Sequence, residues 1–172
     1  MKERPNLVTM RGNPITLLGE EPKIGEPAPN FIAVGKDLQP VEFSSFRGKV
    51  CIISSVPSLD TPVCDMSTRR FNEEATNLGS DVVILTLSMD LPFAQARWCA
   101  AAGVERVQTL SDHRTASFGL AYGVLIKDLR LLARAVFVVD REGILRYSEL
   151  VKEIGDSPNF DAILNATKNL VS

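Results

Sequence analysis

The spacing of apolar residues divides the chain into alternating strands and helices. Val50-Cys-Ile-Ile-Ser-Ser-Val56 and Asp81–Ser88, with Val-Val-Ile-Leu-Thr-Leu at its centre, are nearly continuous apolar runs rich in β-branched residues. Such runs suit strands covered on both faces. Between them Phe71, Ala75 and Leu78 recur at i, i+4 and i+7 and Gly79 follows, which predicts a helix ending there. A second helix is predicted over Phe93–Ala102, with Asp90 as its cap, Pro92 in its first turn and Gly103 beyond its end. Val107–Leu110 reads as a short strand, Thr115–Leu120 as a short helix and Lys127–Leu132 as a loop. Arg134–Val139 and Ile144–Leu150 flank the turn Asp140–Gly143 as a hairpin. The final helix places Phe160, Ile163, Leu164, Thr167 and Val171 on one face.

Upstream, Asn6–Met10 and Ile15–Leu18 flank the turn-like Arg11-Gly-Asn-Pro14 and predict an N-terminal hairpin. Lys23–Pro29 is an extended connector, Phe31–Val34 a short strand, Lys36–Pro40 a turn, Val41–Phe43 an edge and Ser44–Gly48 a tight turn. The order predicts an α/β fold with a mixed central sheet flanked by helices, in a single domain spanning residues 1–172. That pattern is compatible with a thioredoxin-like core, though periodicity does not select it from other α/β folds.

The net charge of −2 and the interspersed signs give no footprint for nucleic acid, and no basic cluster suits an anionic membrane surface. Leu7–Met10 is too short for a signal-peptide core, and no apolar run approaches the roughly 20 residues that span a bilayer. A cytoplasmic protein is expected. Cys51, Cys64 and Cys99 are odd in number and far apart, unlike a secreted disulfide scaffold. With no C-x-x-C and with His113 as the sole histidine, no zinc site is expected. Inert thiols or redox chemistry remain.

Cys64 stands out by position. Thr61 has the chemistry of an N-cap, and Pro62 then occupies the first helical position, so Cys64 falls in the first turn. The backbone N–H groups there lack intrahelical partners, and with the positive end of the helix dipole they favour a thiolate. A reachable nucleophile on a strand-to-helix turn is one reading; a buried structural thiol is the other. Arg134 opens an otherwise apolar strand, where an unpaired charge is costly. It serves either a salt bridge or a thiolate and its substrate. Thr61 is a cap, a hydroxyl beside the sulfur, or both. Cys99, in an apolar helix, is either inert or half of a redox couple. Cys51 reads as a core residue and His113 as solvent-exposed.

Pro57, Thr61 and Cys64 form P-x-x-x-T-x-x-C, which resembles the peroxidatic signature of the peroxiredoxins, and Pro57-Ser-Leu-Asp-Thr-Pro-Val-Cys64 resembles the thiol peroxidase subfamily in particular. The likeness extends over Gly12-Asn-Pro14, Asp90-Leu-Pro-Phe-Ala-Gln-Ala-Arg-Trp-Cys99, Ala121-Tyr-Gly-Val124 and Ala133-Arg-Ala135. It implies a thioredoxin-like fold with an added N-terminal β-hairpin, and reduction of hydrogen peroxide or organic hydroperoxides without a metal or other cofactor. It implies that Cys64 is peroxidatic and Cys99 resolving within one chain, with Thr61 and Arg134 completing the site. It also implies thioredoxin as reductant and a homodimer. A Cys64–Cys99 bridge closes a loop of about 35 residues, worth roughly 4 kcal/mol against the unfolded chain in the chain-entropy account. Because bridged α-carbons approach to about 6 Å, local unwinding near one or both cysteines is expected during the cycle.

Overall fold

In chain order the computed structural model, which describes residues 1–171, has β1 (Glu3–Met10), β2 (Asn13–Leu18), β3 (Ile32–Val34), β4 (Pro40–Glu42) and a 3₁₀ turn (Phe43–Phe46). There follow β5 (Val50–Ser55), α1 (Pro62–Leu78), β6 (Val82–Ser88), α2 (Pro92–Ala102), β7 (Val107–Ser111) and α3 (Ser117–Ala121). The chain closes with β8 (Leu125–Ile126), β9 (Ala135–Val139), β10 (Leu145–Leu150) and α4 (Phe160–Val171). Ser172, the last residue of the expected domain, lies outside the described residues.

The two apolar runs become β5 and β6, parallel neighbours inside a seven-stranded sheet of order β10-β9-β5-β6-β7-β3-β4. β7 continues the parallel set, while β9, β10 and β3 pair antiparallel, so the sheet is mixed as expected. Alternation along β5 splits the core. Val50 and Ile52 face Phe71, Ala75 and Leu78 of α1 and Ile163 and Leu164 of α4. Cys51 and Ile53 face the other side, with Leu17 of the hairpin and an aromatic group of Phe31, Phe118, Tyr122 and Phe137. Each such side chain contributes roughly 1.5–3 kcal/mol on burial, and the central strands draw on both faces.

Register positions the site. Ser55 pairs with Leu87 on one side and Ala135 on the other, and Ser88 pairs with Ser111. The carboxyl ends of β5, β6 and β7 therefore meet the start of β9 at one edge. Open α/β sheets place their ligands at such an edge.

Several predicted elements shift. The hairpin begins at Glu3 and carries a bulge at Asn6, whose φ of 65° is left-handed. It gains a third strand, because β8 pairs with β2; two residues are too few to show a period. The short helix starts at Ser117 instead of Thr115, because the buried Asp112 carboxylate accepts the N–H groups of Phe118 and Gly119 and Ala116 turns left-handed. Arg134 lies one residue ahead of its strand.

Candidate active site

The turn after β5 delivers Cys64 into α1 as the sequence predicts, but by different bonds. Thr61 is the N-cap, with extended backbone, and Pro62 is the first helical residue. The Thr61 side chain makes no capping bond. Its Oγ1 instead donates to the Ser58 carbonyl at 3.1 Å, so the hydroxyl is turned back into the loop and does not fill the first-turn N–H groups. Of the two settings read for this sulfur, reachable or buried, the structure shows the buried one. Cys64 is 0% exposed and packs with Val56, Leu59 and Trp98.

Arg134, 3% exposed, reaches this sulfur because the β5–β9 register sets its backbone beside the end of β5. Its Nη2 donates to Cys64 Sγ at 3.0 Å and its Nε to the Ile154 carbonyl at 2.9 Å. Nη1 is buried and has no hydrogen-bond partner among the described residues. No carboxylate pairs with Arg134 among the described residues, so the salt bridge considered for it is replaced by a contact with sulfur. A buried cation without a carboxylate is costly, and the sulfur at 3.0 Å gives one of its N–H groups an acceptor.

Cys99 is 4% exposed on α2, and its Sγ lies 3.7 Å from Thr109 Oγ1 on β7. It is not part of the Val56–Leu59–Cys64 cluster, and all three cysteines are free thiols. The residues beside the two sulfurs do touch. Trp98 Nε1 donates to Asp65 Oδ1 at 2.8 Å, and the Arg69 guanidinium, paired with Asp65 at 3.1 Å, sits 5.8 Å from the centre of the Trp98 ring. Cys64 and Cys99 thus lie on helices held together, with their sulfurs in separate surroundings.

Asp90 is not the helix cap that the sequence predicts; Leu91 takes that position without a side-chain bond. The Asp90 carboxylate instead accepts Ser58 Oγ–H at 2.8 Å, Leu59 N–H at 2.8 Å and Ser88 Oγ–H at 2.9 Å. Gln95 of α2 donates its amide to the same Ser88 hydroxyl at 3.0 Å and to the Leu110 carbonyl at 2.9 Å. Asp90 and Gln95 both stand in the string ending at Cys99, yet periodicity carries no sign of these bonds. Two serines and an acid near the ends of neighbouring strands are the one trace.

Cys51 is 2% exposed, with Lys49 O at 3.7 Å from its sulfur. Burial pushes its thiol up to about 12, against a smaller opposing pull from the Lys49 charge. His113 is half-buried, not solvent-exposed as expected, because its Nδ1 lies 2.8 Å from Ser111 Oγ. Leu59, Leu91, Phe93 and Trp98 line an open groove beside the Cys64 turn, with Asp60 and Arg97 on its walls. Among the described residues no helix is long and apolar enough to cross a membrane, and no His, Cys, Asp or Glu group is arranged to hold a metal ion.

Comparison with known proteins gives concordant findings. The family model described as Redoxin matches residues 23–164. A thiol peroxidase of Oceanobacillus iheyensis is 56% identical over 158 residues, covering 92% of this chain and 96% of the relative. One from Bacillus subtilis is 54% identical over 164 residues, covering 95% and 98%. The crystal structure of a peroxiredoxin-like protein from Aquifex aeolicus matches with a TM-score of 0.90 at 43% identity, covering 96% of this chain and 98% of that one. The thioredoxin-like fold expected from the motifs is therefore borne out.

Proposed function

The chain belongs to the redoxin family and, within it, to the peroxiredoxin-type thiol peroxidases, and from that premise we propose that Cys64 is the peroxidatic residue and Cys99 the resolving one. The Cys64 thiolate attacks the terminal oxygen of a hydroperoxide, in line with the O–O bond. The S–O bond forms as the O–O bond breaks. The other oxygen, bonded to the organic group or the second hydrogen, leaves with the electron pair and takes a proton, giving an alcohol or water, and the sulfur is oxidised to a sulfenic acid.

The observation that supports these roles best is the Arg134 guanidinium. One N–H is committed to Cys64 Sγ at 3.0 Å, while Nη1, buried, has no partner among the described residues. That spare donor suits an oxygen on which negative charge develops, as do the first-turn N–H groups of α1. Thr61 Oγ1, already donating to Ser58 O, keeps lone pairs that can accept the hydroperoxide proton. Peroxide reaches the sulfur when Leu59 or Trp98, which cover it, give way.

The Cys99 thiol then displaces the sulfenic oxygen as water, forming an intrachain disulfide. A dithiol opens the bridge by exchange and is itself oxidised; thioredoxin is the proposed reductant. Exposed Leu91 and Phe93 beside the site give a face for a protein partner, and a homodimer is proposed as the working form in the cytoplasm. Mass spectrometry after one equivalent of peroxide tests the assignment. A bridge between Cys64 and Cys99 within one chain is expected; oxidation confined to other residues, or a bridge that includes Cys51, would contradict it.

A further inference from the structure

We propose that Asp90 is a positioning residue, a latch that holds the Cys64 turn and the Cys99 helix in their separate places and releases both together. The inference rests on the roles proposed above for the two cysteines. Asp90 follows the end of β6 and precedes α2 by two residues. Its two oxygens take a hydroxyl and a backbone N–H from Ser58 and Leu59, in the turn that leads into Cys64. They also take the hydroxyl of Ser88. That hydroxyl in turn accepts the side-chain amide of Gln95, one helical turn before Cys99. A continuous set of bonds therefore runs from the peroxidatic turn through Asp90 and Ser88 to the resolving helix.

The Asp90 backbone is held as well. Ser111 Oγ donates to the Asp90 carbonyl at 2.5 Å, and the Asp90 N–H reaches Ser88 Oγ at 3.3 Å. The Ser58 carbonyl holds the Thr61 hydroxyl, so the turn fastened by Asp90 is the one that sets the start of α1. Among the described residues no cation pairs with Asp90; turn hydroxyls and an amide are what stabilise its charge. Hydrogen bonds to an ionised group are stronger than neutral ones, so the anchor is firm, yet it is assembled from loop groups that water can replace. To form the bridge the turn must move, because the sulfurs now occupy different surroundings. Moving it strips the Asp90 carboxylate of Ser58 and Leu59 and leaves Ser88, itself bonded to Gln95 of α2, as its one remaining side-chain partner. Unwinding at one cysteine thereby loosens the other.

The latch holds back disulfide formation, whereas a residue that merely supported the core would aid both chemical steps. Disulfide formation after a peroxide pulse can be followed by stopped flow on Trp98, which adjoins Cys99 and is the sole tryptophan, with acid quench and mass spectrometry as a check. Asp90→Ala loses three hydrogen bonds to the carboxylate and Ser58→Ala one; with a fraction of each felt in the barrier, the bridge should form on the order of tenfold faster in the first and about threefold faster in the second than in the unsubstituted chain. Ser58→Ala alters only a turn hydroxyl and keeps the test open should Asp90→Ala fold poorly. Sulfinic acid at Cys64 under excess peroxide should fall in step, since the sulfenic acid lives for less time. Bridge formation unchanged or slowed in Ser58→Ala, with Cys64 still oxidised, would overturn the latch and leave the cysteine roles standing. Absence of sulfenic acid at Cys64 in Cys99→Ser would instead overturn the cysteine roles, and the latch with them.

Discussion

Cys51 and Cys64 stand at opposite ends of one structural unit, the central strand and the turn that follows it, and both are almost wholly buried. Burial does not separate them; their partners do. Cys51 faces the aromatic side of the core, with a carbonyl at 3.7 Å, and its thiol is pushed up to about 12. Cys64 has a guanidinium at 3.0 Å and the open end of a helix. A low-dielectric site magnifies whichever charge it contains. The same enclosure that silences one sulfur strengthens the field of Arg134 on the other.

Substitution at each cysteine and at Arg134 should separate the two sulfurs. Cys64→Ser should abolish peroxide consumption, whereas Cys51→Ala should leave it within about twofold, since nothing in the proposed reaction touches Cys51; a peroxidase assay of both variants decides. Cys99→Ser should spare the first oxidation but stop thioredoxin-driven turnover, read by coupled reductant consumption. Arg134→Ala removes a buried donor from both sulfur and substrate, and comparable losses at oxyanion sites suggest a fall on the order of 10²-fold in the rate of Cys64 oxidation. An unchanged rate with hydrogen peroxide would remove Arg134 from the chemistry. The smallest effect concerns Cys51 alone. Its thiol titrates near 9.0 when unfolded and near 12 when folded. Between those values the unfolded chain gives up a proton that the folded one keeps, so stability present below pH 9 is lost as pH rises, at about 1.4 kcal/mol per unit. Denaturant titrations between pH 9 and 10, below the range where Tyr122, Tyr147 and Lys127 add slopes of the same sign, should show a steeper loss of stability in the unsubstituted chain than in Cys51→Ala.

The strands and helices around the site were legible because their signals are local and repeated: the apolar runs at Val50 and Val82, Pro62 and Pro92 at helix starts, Gly79 and Gly103 at helix ends. Arg134 was legible as a charge that its neighbours made conspicuous. Its contact with Cys64 was not, since it depends on the register between two strands about 80 residues apart. Thr61 holds the N-cap position without the side-chain bond expected of it, and Asp90 does not cap α2, for a shared reason. A cap is one use of a short polar side chain, and here each found a better partner in the Ser58 turn. The closure of Val56, Leu59 and Trp98 over the sulfur was likewise invisible, because Trp98 arrives from another helix.

The most direct test of the difference between the two sulfurs uses chains that keep one cysteine each. Oxidation by hydrogen peroxide, followed by trapping of sulfenic acid, is compared for the Cys64-only and Cys51-only proteins and for each with Arg134→Ala. The Cys64-only chain should react at least roughly 10³ times faster, given electrostatic and donor effects of this size, and should lose most of that advantage without Arg134. Equal rates in the two single-cysteine chains, or a Cys64 rate indifferent to Arg134, would contradict the account.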